Sequence, residues 1–215
     1  MVKNKVLKAM LVLGLAALSI NVNAFAKVDS IPKTMKPGTV IKYDEEKNMN
    51  IIDSGIDSNK VVFNDNIEMN LPEIEAGMTV SYDGTGVPTK ITDKDNNIVE
   101  FDVIDNKKGS FRGYDPDEPG TNWRHTGYIT WYTDRVGQRD HVLGNYDCAT
   151  RIGHEEPACG TTITVRKNGA RSNVYLYKWD IGTLPNAVLD IRPYAFTNLF
   201  HCNLDDGHFY GKYGW

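Results

Sequence analysis

The sequence predicts an all-β protein made of two units in tandem, and three observations carry that expectation. Short β-prone runs alternate with turn residues through most of the chain. Asn168-Gly169 separates two such runs, and Asn-Gly is the strongest short hairpin signal because both residues tolerate the positive φ of a type I′ turn. The composition also changes near residue 110. All four Trp, all three Cys and all five His follow residue 122, every Arg follows residue 111, and every Met precedes residue 79.

Residues 1–26 read as a signal peptide. Lys3, Lys5 and Lys8 form a basic start, residues 9–20 an apolar core, and Ala24-Phe25-Ala26 a small-x-small cleavage site. The apolar core is short for a membrane span, and no later stretch replaces it. The expected product is secreted or cell-wall associated, cleaved near Ala26, with no stable membrane insertion. Loss of the three leader lysines takes the formal charge from −4 to −7. A nucleic-acid binder usually shows a basic footprint, so no nucleic-acid partner is expected.

Residues 27–105 form the first predicted unit, with 8 Lys against 16 acidic residues. Candidate strands are 39–43, 48–53, 60–63, 78–82 and 89–92. Residues 44–47, Asp83-Gly84-Thr85-Gly86 and Asp95-Asn96-Asn97 are the breaks between strands. Many short strands in so few residues suggest a small closed barrel. The order of segments at 38–52, 61–63 and 75–82 resembles a cold-shock-type OB barrel. The aromatic run that would stack bases is replaced by Lys47-Asn-Met-Asn-Ile51, which leaves Phe63. Without aromatic platforms or positive charge, the reading is an OB-like scaffold that does not bind nucleic acid. Residues 106–122, rich in Gly, Pro and Asp, read as a linker.

Residues 123–215 form the second unit. Gly127-Tyr-Ile-Thr-Trp-Tyr-Thr133 opens it, followed by Asp147-Cys-Ala-Thr150 and Pro157-Ala-Cys-Gly-Thr-Thr-Ile-Thr-Val165. The Asn168-Gly169 hairpin comes next and its second strand ends on Asp180. Leu189-Asp-Ile-Arg-Pro-Tyr-Ala-Phe196 and a closing strand near 208–215 complete the unit. In that order the segments resemble the double-psi β-barrel of expansins, barwin-like proteins and rare lipoprotein A-like proteins. The resemblance implies a six-stranded barrel with a shallow groove for a polysaccharide. It matches Asp180 to the acid that expansins need for wall loosening and that related murein-cleaving barrels use. Asp190 matches the second family aspartate and Thr130 the groove threonine. Asn145 stands where rare lipoprotein A-like enzymes typically carry Glu, so that candidate acid is missing.

The residues themselves frame the chemistry. An acid within Ala187-Val-Leu-Asp-Ile191 must be hydrogen-bonded or paired if it is buried. Asp180 and Asp190 are the candidate catalytic pair, or braces of the fold. To donate a proton near neutral pH, Asp180 needs its pKa raised by burial or by a like charge. Lys178, two residues back, would oppose that if its ammonium turned toward Asp180. Along 173–180, alternation puts Val174 and Leu176 on one face and Tyr175, Tyr177 and Trp179 on the other, one face being core. Trp131, Tyr132 and Trp179 are the aromatics expected beside Thr130 in the groove. The five His lack metal spacing, His154 beside Glu155 reads as solvated, and neither metal nor cofactor is expected. Cys148, Cys159 and Cys202 are disulfide candidates whose odd number leaves one over.

The functional expectation is a secreted cell-wall polysaccharide-binding, expansin-like protein that loosens or remodels the wall without hydrolysis. Its partner would be peptidoglycan or a plant-type glucan. One alternative is a peptidoglycan lytic transglycosylase with Asp180 as sole acid–base. A second is a barwin-like protease inhibitor or other protein-binding module, suggested by Tyr132-Thr133-Asp134.

Overall fold

The computed structural model describes residues 26–57, 67–105, 123–153 and 156–215. The expected leader, the candidate strand at 60–63, the linker at 106–122 and His154 fall wholly or almost wholly outside these residues. The regular secondary structure of the described chain is nearly all β. No helix among the described residues is long and apolar enough to cross a membrane.

The first half contains β1 (Ala26–Lys27), β2 (Thr39–Tyr43), β3 (Asn48–Ser54), β4 (Ile67–Asn70), β5 (Thr79–Tyr82), β6 (Pro88–Thr92) and β7 (Asp102–Asp105). Five of them form an antiparallel sheet in the order β1-β3-β2-β5-β6, and β4 pairs with β7 as a two-stranded ribbon. Among the described residues no pairing closes this sheet into the expected barrel. Period-two alternation sends Thr39, Ile41 and Tyr43 of β2 inward. Ile41 and Tyr43 meet Met78, Val80, Tyr82 and Ile91 in one apolar core.

The second half contains β8 (Trp123–Trp131), β9 (Asp147–Arg151), β10 (Thr162–Lys167), β11 (Val174–Gly182), β12 (Leu189–Ile191) and β13 (His208–Gly214). They close a six-stranded barrel in the order β10-β11-β9-β12-β8-β13. The barrel is mixed: β9 runs parallel to β11 and β12 parallel to β8, while the remaining pairs are antiparallel. Asn168 and Gly169 turn β10 into β11, with Gly169 at φ +78°. On β11 Leu176 is buried and Tyr175 and Tyr177 face outward, so the aromatic row is the outer one. Ile129, Ile163, Val165, Leu176, Leu189, Ile191 and Phe196 fill the interior.

The halves meet through the β5–β6 hairpin, where residues 80–89 are all buried. The Thr183 N–H donates to the Thr89 carbonyl at 2.8 Å, and the Thr133 hydroxyl donates to the Gly38 carbonyl at 2.9 Å. Asn186 Nδ2 donates to Thr85 Oγ1 at 3.3 Å. A Cβ on Gly84 would overlap the Trp131 indole and the Gly207 carbonyl, so the hairpin tip lies flat against the barrel.

Candidate functional site

Strand register brings three sequence-predicted residues into one row. Asp180 on β11 pairs with Ala149 on β9, Ala149 with Asp190 on β12, and Asp190 with Thr130 on β8. Register partners on neighbouring strands point to the same face. A bulge between Lys178 and Asp180 makes this possible, because a bulge re-aims the strand beyond it. Lys178 therefore turns away and donates to Gln138 Oε1 rather than to Asp180.

The cation on Asp180 comes from the other half of the molecule. Lys90, on β6, places Nζ 3.0 Å from both Oδ1 and Oδ2 of Asp180. The same ammonium is 3.3 Å from Asp134 Oδ2 and donates to the Val136 carbonyl at 3.3 Å. These groups lie at the floor of a cleft of about 510 Å³ between sheet and barrel. Its walls include Asp53, Asp95 and Asn96 on one side and Arg135, Arg139 and Asp140 on the other. Burial pushes the Asp180 pKa up to about 6; the Lys90 ammonium pulls it back and Asp134 pushes it further up. Asp180 is only 1 % exposed, so solvent reaches this cluster mainly past Lys90.

Asp190 and Thr130 are fully enclosed. Thr89, the neighbour of Lys90, donates its hydroxyl to Asp190 Oδ2 at 2.9 Å. Among the described residues, Asp190 Oδ1 and Thr130 Oγ1 have no hydrogen-bond partner. Burial raises the Asp190 pKa far above the carboxylate range, and the nearby Asp83 charge adds to the rise. Asp83, also enclosed, is raised by burial to about 6 against the amide donors of its own loop. The row that the sequence places on an open trough is thus roofed by the β5–β6 hairpin.

The predicted aromatics lie elsewhere. Trp131 is in the barrel core, its Nε1 donating to the Leu204 carbonyl at 3.1 Å. Tyr132 is buried against Leu143, Ala149 and Trp179. Trp179 is partly buried and stacks on His141 with ring centroids 4.0 Å apart. Asn145 is exposed, and Cys148, Cys159 and Cys202 are free thiols rather than disulfide partners. Among the described residues no group of three or more His, Cys, Asp or Glu is arranged to hold a metal ion.

Three important residues carried no sequence signal for this site. Lys90 lies 90 positions from Asp180, and no local pattern links them. Asp134 sits just beyond the predicted groove threonine strand but faces Lys90. His141 Nε2 lies 2.9 Å from Asp147 Oδ2, and this pair pins the loop that forms one wall of the cleft.

No protein-family model and no solved structure matches the chain. The uncharacterized protein YdjM of Bacillus subtilis (strain 168) is 40% identical over 92 residues, which is 41% of this chain and 74% of that protein. The chain belongs to the YdjM family.

Proposed function

We propose that this protein is exported and binds a cell-wall polysaccharide, loosening or remodelling the wall without cleaving it, in the manner of an expansin. The closed six-stranded mixed barrel supports reading this half as a double-psi barrel. The observation that carries the proposal is the single row of Asp180, Asp190 and Thr130 across adjacent strands, with Asp180 at the floor of a cleft. Asp180 accepts from Lys90 through both oxygens. An acid held that way is stabilised as the carboxylate and has no proton to give a leaving oxygen. A sugar chain entering the cleft meets Lys90, Asp134 and Asp180 first, and the rest of the row only when the hairpin lifts.

A lytic transglycosylase is the second reading, favoured by the burial that raises Asp180 to about 6, the direction a general acid needs. Incubation of purified sacculi with the full chain separates the two. Co-sedimentation without soluble fragments is the expected result. Release of anhydro-muropeptides by the wild type and not by Asp180→Asn would replace the binding reading with the enzymatic one.

A further inference from the structure

The four oxygens around Lys90 Nζ say what kind of polymer suits this site. Asp180 Oδ1 and Oδ2, Asp134 Oδ2 and the Val136 carbonyl all belong to the barrel half, whereas the ammonium they hold belongs to the sheet half. The barrel alone therefore presents a preassembled oxygen cage shaped for a primary ammonium group. Asp134 Oδ1 is buried without a partner among the described residues, so one acceptor of the cage is still unused. We infer that Asp134, Asp180 and the Val136 carbonyl form a receptor for primary ammonium groups, that Lys90 is its tethered occupant, and that the ligand of the cleft is a wall polymer carrying free amines, which displaces the β5–β6 hairpin.

This inference rests on the wall-binding reading for the identity of the ligand, but not for the receptor itself. A ligand that displaces Lys90 must bring a positive charge, because a neutral sugar would leave two enclosed carboxylates without a counter-ion. The hydrogen bonds of sugar hydroxyls do not offset that loss. An unmodified glucan is therefore a poor competitor, and a glycan with deacetylated amino sugars or amine-bearing peptides is a good one. The hairpin is also an incomplete match for the acids it covers. Asp134 and Asp180 are both buried beside Lys90, which neutralises at most one of their two charges. A polymer with several ammonium groups can neutralise more of them.

Two measurements on the full chain test this. In the first, Lys90→Ala empties the cage, and thermal melting is followed with ethylammonium, tetramethylammonium or sodium chloride at equal ionic strength. The melting temperature of Lys90→Ala is expected to rise and saturate with ethylammonium alone, and Lys90→Ala/Asp180→Asn is expected not to respond. Equal responses to all three salts would overturn the receptor. In the second, which needs no folded Lys90 variant, the wild type is retained on peptidoglycan before and after chemical N-acetylation of its amines. Acetylation is expected to weaken binding roughly ten-fold, equivalent to about 1.4 kcal/mol, and Asp180→Asn to lose the preference. Equal retention by the wild type overturns the amine ligand. Retention on neither material, with ethylammonium rescue intact, overturns the wall reading while the receptor stands.

Discussion

Three hairpin loops in the first half are built alike and titrate in opposite directions. Asp44, Asp83 and Asp93 each begin a loop, and each uses Oδ1 to accept the amides two and four residues on. The partners are Glu46 and Asn48 at 3.0 and 2.8 Å, Thr85 and Val87 at 2.8 and 3.2 Å, and Asp95 and Asn97 at 2.8 and 2.9 Å. The fourth position is left-handed in all three, as Lys47, Gly86 and Asn96. Yet in Asp44, slight desolvation is outweighed by the Asn48, Asn50 and Glu46 donors, which hold the carboxyl below its usual value. Asn97 and the Asp95 amide, helped by the charge of Lys94, do the same for Asp93. Burial against the barrel overrides the Thr85 hydroxyl and the loop amides in Asp83 and pushes it up to about 6. The same backbone hydrogen bonding therefore does not fix the charge of an aspartate; burial under the other half and the side-chain donors to Oδ2, present at Asp44 and Asp93, decide it.

The sharpest way to break this comparison is to remove the cation of the covered region. Lys90→Met leaves Asp180 and Asp134 buried without their counter-charge, and is expected to cost about 3–5 kcal/mol in denaturant unfolding. The pH dependence is the next largest effect. Asp83 binds its proton more tightly folded than unfolded, so its contribution is complete below the ordinary carboxyl value. That contribution is lost as pH rises through about 6. A shift of this size is worth about 3 kcal/mol, and Asp83→Asn should flatten the loss between pH 4 and 7. The lowered Asp44 and Asp93 act oppositely, stabilising above the ordinary value and losing that contribution as the solution is acidified through their depressed values.

A smaller effect separates backbone from packing. The second loop position is Glu45, Gly84 and Lys94 in the three copies, so the loop itself accepts a side chain there. Only Gly84 faces the Trp131 indole and the Gly207 carbonyl. Gly84→Ala is expected to cost about 2 kcal/mol by overpacking, while Glu45→Ala and Lys94→Ala leave the unfolding midpoint unchanged. The smallest effect belongs to Lys36→Met. Its 2.6 Å pair with Asp57 is largely solvated, and its loss should cost about 0.5 kcal/mol or less by the same measurement.

Much of the strand pattern was legible because period-two alternation and turn chemistry are local. The three loop breaks, the Asn168-Gly169 hairpin and the shared face of Tyr175 and Tyr177 all follow from residues within a few positions of one another. Asp180, Asp190 and Thr130 fall in one row of register partners, but the groove that the family resemblance implies there is covered by the β5–β6 hairpin. The partners of that row were not legible. Reasoning along one strand pointed to Lys178 as the neighbour of Asp180, but a bulge separates the two, and Lys90 arrives from a distant strand. Trp131 and Tyr132 read as groove aromatics because alternation says which residues share a face, not what covers it.

By itself the sequence determined most of the strands, though not β4 or β7, which positions turn, and that one acid ends a strand and another sits within an apolar one, since these depend on backbone sterics and nearest neighbours. Only the tertiary structure decided that a hairpin from the first half would cap the barrel's acids, supply their cation and raise three carboxyls together. Burial and charge pairing are set by atoms close in space and remote in the chain, and no local pattern encodes them.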